Sequence, residues 1–473
     1  MGKRMVFAYP NQRWNKFDPN TNWDLYPSTL CLLAAMVRDL AEIKIIDAQF
    51  YNLSQEDFKQ EIESFNPDYV SFSILTSEYS SRLDIASKLV KEVNSNIIVI
   101  AGGVHVTTNY EHVVKNPDID YCVRGEGEYV LKDLIKYLNG DGPIPSIGLV
   151  YRDGKDIIIQ GRAIVEDLTK IPWPAYDLID LSAYISTSSR FGPNRPPEFP
   201  CIRMNTTRGC PFGCSFCQVE QINGKKVRAR DPEDVVNELR FLKEKYGIRA
   251  VIFEDDNLLM APGHYAKKLF TMMIERNLNL KWMGGAFALF LLTDDFLDIM
   301  KKSGCVGINI AIESGNERVL KEIVQKPIKD LKRVPEIIQK IKSRGMYCLA
   351  NFIIGFPGET WDEIRDTIKF SEFCGADYIK IFVAVPLKGT KLYQIAQEKG
   401  LLSRDNCDIE INWRYGVITS NEWTNKDVSI LRAYEWDRIN FSRERIKRTA
   451  ELWGITNEEI QVIRKKTRDD LVF

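Results

Sequence analysis

Three features of the 473-residue sequence predict an α/β fold in parts. Short apolar runs alternate with helical periodicity over the first ~140 residues, the alternation resumes from ~198 to ~395, and it is missing from the last ~78. The fold class expected is an N-terminal doubly wound parallel sheet over 1–140, a linker with a β-hairpin over 141–195, a partial (β/α)6 barrel over 196–395 and a small, mostly helical region over 396–473. A single ordinary core does not extend over a chain of this length. With 44% hydrophobic and 27% charged residues and a net charge of −1, the composition is globular and carries no field for nucleic acid or a membrane surface. No run reaches the ~18 apolar residues of a membrane span. Met1-Gly2-Lys3-Arg4 is followed by only a five-residue apolar run before Pro10, so no secretory signal is expected. Ten cysteines, clustered rather than spread as a framework, suit reduced thiols, and the expected location is cytoplasmic.

In the first part the strands are expected at 5–9, 43–46, 69–73, 97–101 and 121–123. Ser28 is placed to cap a helix whose face is Leu30, Leu33, Ala34, Val37 and Leu40. Further helices are expected over 57–65, 81–93 and 129–138. Ligands of such sheets bind beyond the carboxyl ends of the strands, which here are Asp47-Ala48, residues 73–77, Gly102-Gly103-Val104-His105 and Arg124-Gly125-Glu126-Gly127-Glu128. Glycine pairs there let a ligand come close to the backbone. His105 is read equally as a loop residue with a satisfied hydrogen bond and as a ligand contact. The linker carries a hairpin around Asp153-Gly154, and the proline-rich stretch 191–200 marks the boundary of the next part.

Barrel strands are expected at 201–204, 250–253, 280–283, 306–312, 349–354 and 378–385. Polar residues at the carboxyl ends of barrel strands read as chemistry, although each carboxylate taken singly reads as a helix cap or a solvated group. After the first strand comes Thr207-Arg208-Gly209-Cys210-Pro211-Phe212-Gly213-Cys214-Ser215-Phe216-Cys217, with three thiols in a C-x3-C-x2-C pattern. Zinc and cubane clusters usually take four protein ligands, so three neighbouring thiols with no obvious fourth suggest a metal centre with an open position. Zinc with a distant fourth ligand and inert buried thiols are the other readings. Gly209, Pro211 and Gly213 favour a turning loop over a core element. The basic run from Lys225 to Arg230 follows directly and reads as a solvated loop, or as a patch meeting an anionic substrate or a reductant. In the last part, 427–451 reads as one long helix packed through Ile430, Leu431, Tyr434, Phe441 and Ile446.

The cysteine loop, with Phe216 before its last thiol, resembles the signature of the radical S-adenosylmethionine (SAM) enzymes. The sequence of elements, Phe253-x-Asp255-Asp256, Ile312-Glu313-Ser314-Gly315, Gly355-Phe356-Pro357-Gly358-Glu359-Thr360 and Pro386-x-x-Gly389-Thr390, resembles the subfamily in which a cobalamin-binding domain precedes the radical SAM barrel. Gly102-Gly103-x-His105 and Gly125-Glu126-Gly127-Glu128 are similar to that preceding domain. The resemblance implies a [4Fe-4S] cluster on Cys210, Cys214 and Cys217, its fourth iron chelating SAM. It implies SAM contacts from Phe216, Asp255, Asp256, Glu313, Ser314 and Gly355. It implies cobalamin contacts from Ser73, Thr76, Gly102, Gly103, Gly125 and Glu126. It names no catalytic residue. Two departures stand out: no Asp-x-His-x-x-Gly motif is present to ligate cobalt, and Gly284-Gly285-Ala286-Phe287 follows the third barrel strand where relatives often carry an arginine.

The activity implied is reductive cleavage of SAM, hydrogen abstraction from an unactivated carbon and cobalamin-dependent methyl transfer. The partners implied are a small-molecule or lipid substrate and an external one-electron reductant of ferredoxin or flavodoxin type, with no nucleic acid. A non-methylating cyclase or carbon–carbon bond former of the lipid and hopanoid type, with a cofactor-free cobalamin-like domain, is the first alternative, and Gly224 to Pro232 is similar to that branch. A methylthiotransferase fits less well, because only Cys31 and Cys122 precede the linker. A metal-stabilised binding module is the non-enzymatic alternative and predicts no SAM cleavage.

Overall fold

Met5, Val6, Phe7 and Ala8 form an unbroken apolar run, and all four are fully buried because helices cover both faces of the sheet to which they belong. The computed structural model describes residues 2–14, 25–77, 80–186, 197–328, 330–402 and 415–469. Of the expected boundary stretch, 191–196 lies outside the described residues. The chain divides into two compact units, one built on residues up to 186 and the other mainly on those from 197.

The first unit runs β1 (Arg4–Tyr9), α1 (Ser28–Val37), β2 (Glu42–Asp47), α2 (Gln55–Phe65), β3 (Tyr69–Ser73), α3 (Ser80–Val93), β4 (Ile98–Gly102), α4 (Val104–Val113), β5 (Tyr121–Val123), α5 (Glu128–Asn139), β6 (Leu149–Asp153), β7 (Asp156–Ile159) and α6 (Leu181–Ser186). The sheet order is β2-β1-β3-β4-β5-β6-β7. The first five strands are parallel, and the doubly wound fold is as expected. Val6 and Ala8 join a cluster with Phe58 and Ile62 of α2 and Leu83 and Val90 of α3. Met5 and Phe7 join the opposite one, with Leu30 and Ala34 of α1 and Leu131 and Leu134 of α5. The linker hairpin is part of this sheet: β6 pairs antiparallel with β5 and carries β7 at the far edge. Helix α4 is not foreseen in the sequence, because Val104-His105-Val106-Thr107-Thr108 is β-branched and a poor helix former. It forms nonetheless, kinked at Asn109, where φ is −121° and ψ 22°.

The second unit continues with β8 (Cys201–Met204), β9 (Thr207–Arg208), α7 (Val219–Ile222), β10 (Arg228–Ala229), α8 (Pro232–Tyr246), β11 (Ala250–Phe253), α9 (Tyr265–Glu275), β12 (Lys281–Phe287), α10 (Asp294–Lys302), β13 (Cys305–Glu313), α11 (Val334–Ser343), β14 (Tyr347–Ile354), α12 (Trp361–Phe373), β15 (Tyr378–Val383), α13 (Lys391–Glu398), α14 (Asn425–Asn440), α15 (Arg443–Trp453) and α16 (Asn457–Asp469). Six parallel strands in the order β8-β11-β12-β13-β14-β15 make the partial barrel. Its outer face is aromatic: Phe253 and Trp282 pack on Phe270 of α9, the last two stacked at 4.4 Å, and Phe352 meets Phe370 of α12. Parallel partners share a face. Arg203, Ile252 and Met283 are in register on the opposite, inner face, as are Ala311, Asn351 and Lys380.

Two readings of this half are corrected. Gly284-Gly285-Ala286-Phe287 is not a loop beyond β12 but its last four residues. A Cβ on Gly284 would lie 2.8 Å from the Phe287 ring, so the missing side chain makes room for that ring. The predicted single helix over 427–451 is two, broken at Phe441-Ser442, where the Ser442 hydroxyl caps α15 by accepting from Arg445 N. Ile430 and Tyr434 are exposed, and the buried residues of α14 include Val428, Trp436 and Ile439. The free edge of β15 sets that face. Asn440 accepts from Ile379 N and donates to Ile379 O, both at 2.8 Å, taking the place of a neighbouring strand.

Candidate active site

The cysteine loop leaves β8 through Asn205 and is closed by a two-residue ladder, β9 against β10. Gly209 begins the turn with φ +95°, and a Cβ there would lie 2.4 Å from Lys226 O, so glycine is required. Cys210 N donates to Gly224 O and Cys217 N to Cys214 O. Ser215 N donates to Val324 O, at the end of the π-helical turn Val319–Val324, while Ser215 O accepts from Leu392 N at the start of α13. The loop is thus fixed from both sides. The basic run is divided: Lys225 and Lys226 are exposed, as a solvated loop requires, whereas Arg228 lies in β10 and is buried. Arg230 reaches Asp234 and the buried Glu238, each at 2.6 Å.

Burial pushes the Cys214 thiol up to about 11 and the Cys217 thiol up to about 12, with the neighbouring thiols adding to the rise. Two desolvated thiols whose ionisation their neighbours oppose are a poor arrangement for free cysteines and a suitable one for metal, which takes thiolates and releases their protons. Among the described residues no three His, Cys, Asp or Glu side chains converge as a single ion would need. A cubane does not need it, since each thiolate binds its own iron. The donor set fits a cluster. Asn257 Nδ2 lies 3.5 Å from Cys210 Sγ and points a donor at the sulfur, while Asn257 Oδ1 is buried and has no partner. Sequence reasoning gave Asn257 no role; the run Glu254-Asp255-Asp256-Asn257 beyond a barrel strand was its signal.

The strand-end residues divide into two groups. Asp256, Glu313 and Phe216 face the loop region. Asp256 Oδ2 accepts from Gly209 N at 2.8 Å. Glu313, at φ +75° after a bulge in β13, pairs with Lys326 Nζ at 2.7 Å. Burial works against the Lys326 charge, but Glu313 and the thiols outweigh it and hold the ammonium above its ordinary value. Phe216 lies 6.1 Å from Phe356, just after Gly355. Asp255 and Ser314 are engaged in holding loops. Asp255 Oδ1 accepts from the backbone N–H and the hydroxyl of both Thr206 and Thr207, the hydroxyls at 3.0 and 2.8 Å. Burial nevertheless raises its carboxyl to about 6, and Oδ2 is buried without a hydrogen bond. The Ser314 hydroxyl shares a 2.9 Å hydrogen bond with Thr367 of α12 and accepts from Asn316 N.

Gly355 has φ +83°, and a Cβ on it would lie 2.9 Å from Val428 of α14. Its N–H and that of Phe356 both donate to Glu359 Oε2, at 2.7 and 2.9 Å, while Oε1 is buried without a hydrogen bond. Burial lifts the Glu359 carboxyl from the ordinary 4.5 to about 8. Because the folded value lies above the unfolded one, the neutral form is favoured by folding, and stability falls as pH rises from about 4.5 to about 8. Glu359→Gln removes that slope. Its thermal midpoint relative to wild type should rise between pH 5 and pH 9, by the equivalent of roughly 3 kcal/mol. A difference that does not change with pH contradicts the assignment.

In the first unit Ser73 and Gly102 are in register at the ends of β3 and β4. Gly103, at φ +94°, begins α4 so close to Ile74 that a Cβ would lie 2.6 Å from its carbonyl oxygen. Ser73 Oγ is buried without a hydrogen bond. Thr76 follows in the same connection, and His105 is satisfied by Ser77 Oγ at 2.9 Å from Nδ1. An orphaned hydroxyl beside a glycine pair at a strand end fits a polar cofactor tail. Gly125 and Glu126 are engaged with a neighbouring segment. A Cβ on Gly125 would lie 2.2 Å from Ala163 O, and Glu126 Oε2 accepts from Val165 N at 2.6 Å. The chain returning from the hairpin covers both. Asp47 is likewise engaged, accepting from the Tyr184 hydroxyl of α6.

A loop of three thiols at the top of a six-stranded parallel barrel, in one chain with a doubly wound domain whose first five strands are parallel, defines a radical SAM enzyme with a cobalamin-type domain. The chain belongs to that family: residues 204–371 match the Radical SAM superfamily and residues 20–135 the B12 binding domain. The cofactors of the family are a [4Fe-4S] cluster, SAM and cobalamin. Uncharacterized methyltransferase PH0819 of Pyrococcus horikoshii is 32% identical over 391 residues, 82% of this chain and 81% of its own. Anaerobic magnesium-protoporphyrin IX monomethyl ester cyclase of Rubrivivax gelatinosus is 26% identical, over 84% of this chain and 70% of its own. Among solved structures, the radical SAM methyltransferase TsrM of Kitasatospora setae, with cobalamin and a [4Fe-4S] cluster bound, shares the fold at a TM-score of 0.68. It is 18% identical, and the match covers 86% of this chain and 76% of that one. No helix among the described residues is long and apolar enough to cross a membrane.

Proposed function

We propose that the protein is a cobalamin-dependent radical SAM methyltransferase acting on an unactivated carbon of a small-molecule or lipid substrate, with an external one-electron reductant. The presence of the three-thiol loop and the B12 binding domain in one chain carries this reading, and the 32% identity to a methyltransferase supports it. When bound, the cluster and SAM supply radical generation by one-electron reduction, and cobalamin supplies a methyl carrier.

The residues of the chain bind, orient and shield. Cys210, Cys214 and Cys217 hold the cluster, and Asn257 donates to the first of them. Phe216, Asp256, Glu313 and the backbone at Gly355 hold SAM, with Asp255 Oδ2 the one oxygen of that carboxyl open to its amino group. Ser314 acts by fixing the loop that carries Glu313. Ser73, Thr76, Gly102 and Gly103 take the cobalamin tail, while Gly125 and Glu126 hold the covering segment. The nine free cysteines among the described residues suit a reducing cytoplasm.

The similarity to a cyclase favours a second reading, in which radical generation is kept and methyl transfer is lost. The two separate without knowledge of the substrate. Anaerobic, reconstituted protein given cobalamin, a reductant and SAM labelled in its methyl group should yield label in the cobalamin. Deoxyadenosine with unlabelled cobalamin supports the cyclase instead.

A further inference from the structure

Three consecutive side chains beyond β11 meet the entry to the cysteine loop in the order of its residues. Asp255 accepts from Thr206 and Thr207, and Asp256 accepts from Gly209. Asn257 comes next and meets Cys210, its Nδ2 lying 3.5 Å from Sγ. The backbone at Asn257 is fixed from the other side as well. Its carbonyl accepts from Met260 N at 3.1 Å, at a 3-10 turn whose first residue, Leu258, is fully buried. Asn257 itself is only 2% exposed. Among the described residues it is the one side chain that hydrogen-bonds any of the three loop thiols.

Packing does not account for an amide at this position. Asn257 Oδ1 is buried without a hydrogen bond, and a half-satisfied buried amide is less favourable than an apolar side chain of similar size. Leucine would fill the same space without that penalty. What leucine lacks is the N–H. A sulfur bound to iron is a thiolate, which accepts and does not donate, so the amide turns its N–H2 toward it, and the bond is charge-assisted. Taking up one electron adds one negative charge to a cluster and its sulfurs. A donor aimed at a ligating sulfur therefore stabilises the reduced form more than the oxidised one, and hydrogen bonds to the sulfurs are among the factors that set cluster potentials.

We infer that Asn257 sets the reduction potential of the cluster, as a positioning residue acting through the Cys210 sulfur. Its N–H2 raises the potential and eases transfer of one electron from the external reductant to the oxidised cluster. This rests on the proposed function, because it concerns the cluster of that reading, and it assigns the ease of the first electron transfer to one side chain.

The test is a redox titration of full-length protein, anaerobically reconstituted with iron and sulfide and followed by EPR of the reduced cluster, on wild type and Asn257→Leu. The substitution removes the donor with little change in volume and no added charge. Both proteins should hold about four irons. The cluster of the variant should be about tenfold harder to reduce, a midpoint lower by about 59 mV for one electron. The sign separates this role from a structural one. A loop that merely loosened would admit water, which favours the more highly charged reduced cluster and raises the midpoint. An unchanged or higher midpoint overturns the inference. So does loss of iron from Asn257→Leu, which would make Asn257 a residue that holds the loop. A second readout needs no variant: in wild-type protein carrying isotopically labelled asparagine, pulsed EPR of the reduced cluster should detect a coupled labelled nitrogen, and its absence overturns the inference. Reductive SAM cleavage by the wild type is measured alongside. Its absence refutes the proposed function, and its presence with an unshifted midpoint refutes only the role of Asn257.

Discussion

Alanine at any one of Cys210, Cys214 or Cys217 is expected to abolish reductive SAM cleavage, a loss of at least about a thousandfold, a barrier higher by about 4 kcal/mol or more. The loop geometry makes the loss steep. The three thiols share one turn fixed by Gly224, Val324 and Leu392, so no other described sulfur is positioned to replace a missing one. Iron content should fall in parallel, while the secondary structure stays intact, because the β-sheet core lies in β8 to β15 and not in the loop. Iron and sulfide assay with circular dichroism checks both. Cleavage retained in a single-cysteine variant contradicts the cluster assignment.

Asp255→Ala is expected to destabilise the second unit by at least roughly 3 kcal/mol, because it strips the acceptor from two buried backbone N–H groups and two hydroxyls at once. Its effect on iron retention should be nearly as large as that of a cysteine variant, since Thr206 and Thr207 are the entry to the cysteine loop. Asp255→Asn keeps an acceptor oxygen and should retain most of the iron. If Asp255 served SAM alone, Asp255→Ala would keep its iron and lose only SAM affinity. Thermal midpoints, iron content and SAM titration on the two variants separate these outcomes.

What the sequence disclosed depended on periodicity and on punctuation. Strands β3, β5, β8 and β11 fall at their expected positions because short apolar runs bounded by turn residues have no competing reading. The cysteine loop was legible for the same reason: Gly209 and the two glycine-flanked thiols leave no room for a helix or a core strand. Long-range choices were not legible. Asp255 and Ser314 look identical in sequence to ligand-binding strand-end residues, and only their pairing with Thr206, Thr207 and Thr367 shows that they hold loops. Helix α4 forms against its own propensity because tertiary packing of Val106 and Val113 outweighs β-branching. The inner-face cations were hidden for a similar reason. Arg203 and Lys380 are 177 residues apart, and only strand order makes the strands that carry them the two edges of one sheet.

The most direct measurement is iron, sulfide and zinc analysis of anaerobically reconstituted protein, followed in the same sample by assay of 5′-deoxyadenosine after addition of SAM and a strong reductant. The account predicts about four irons and four sulfides per chain, no zinc, and deoxyadenosine formed together with methionine. Stoichiometric zinc, or a full complement of iron that leaves SAM intact under reduction, would contradict it.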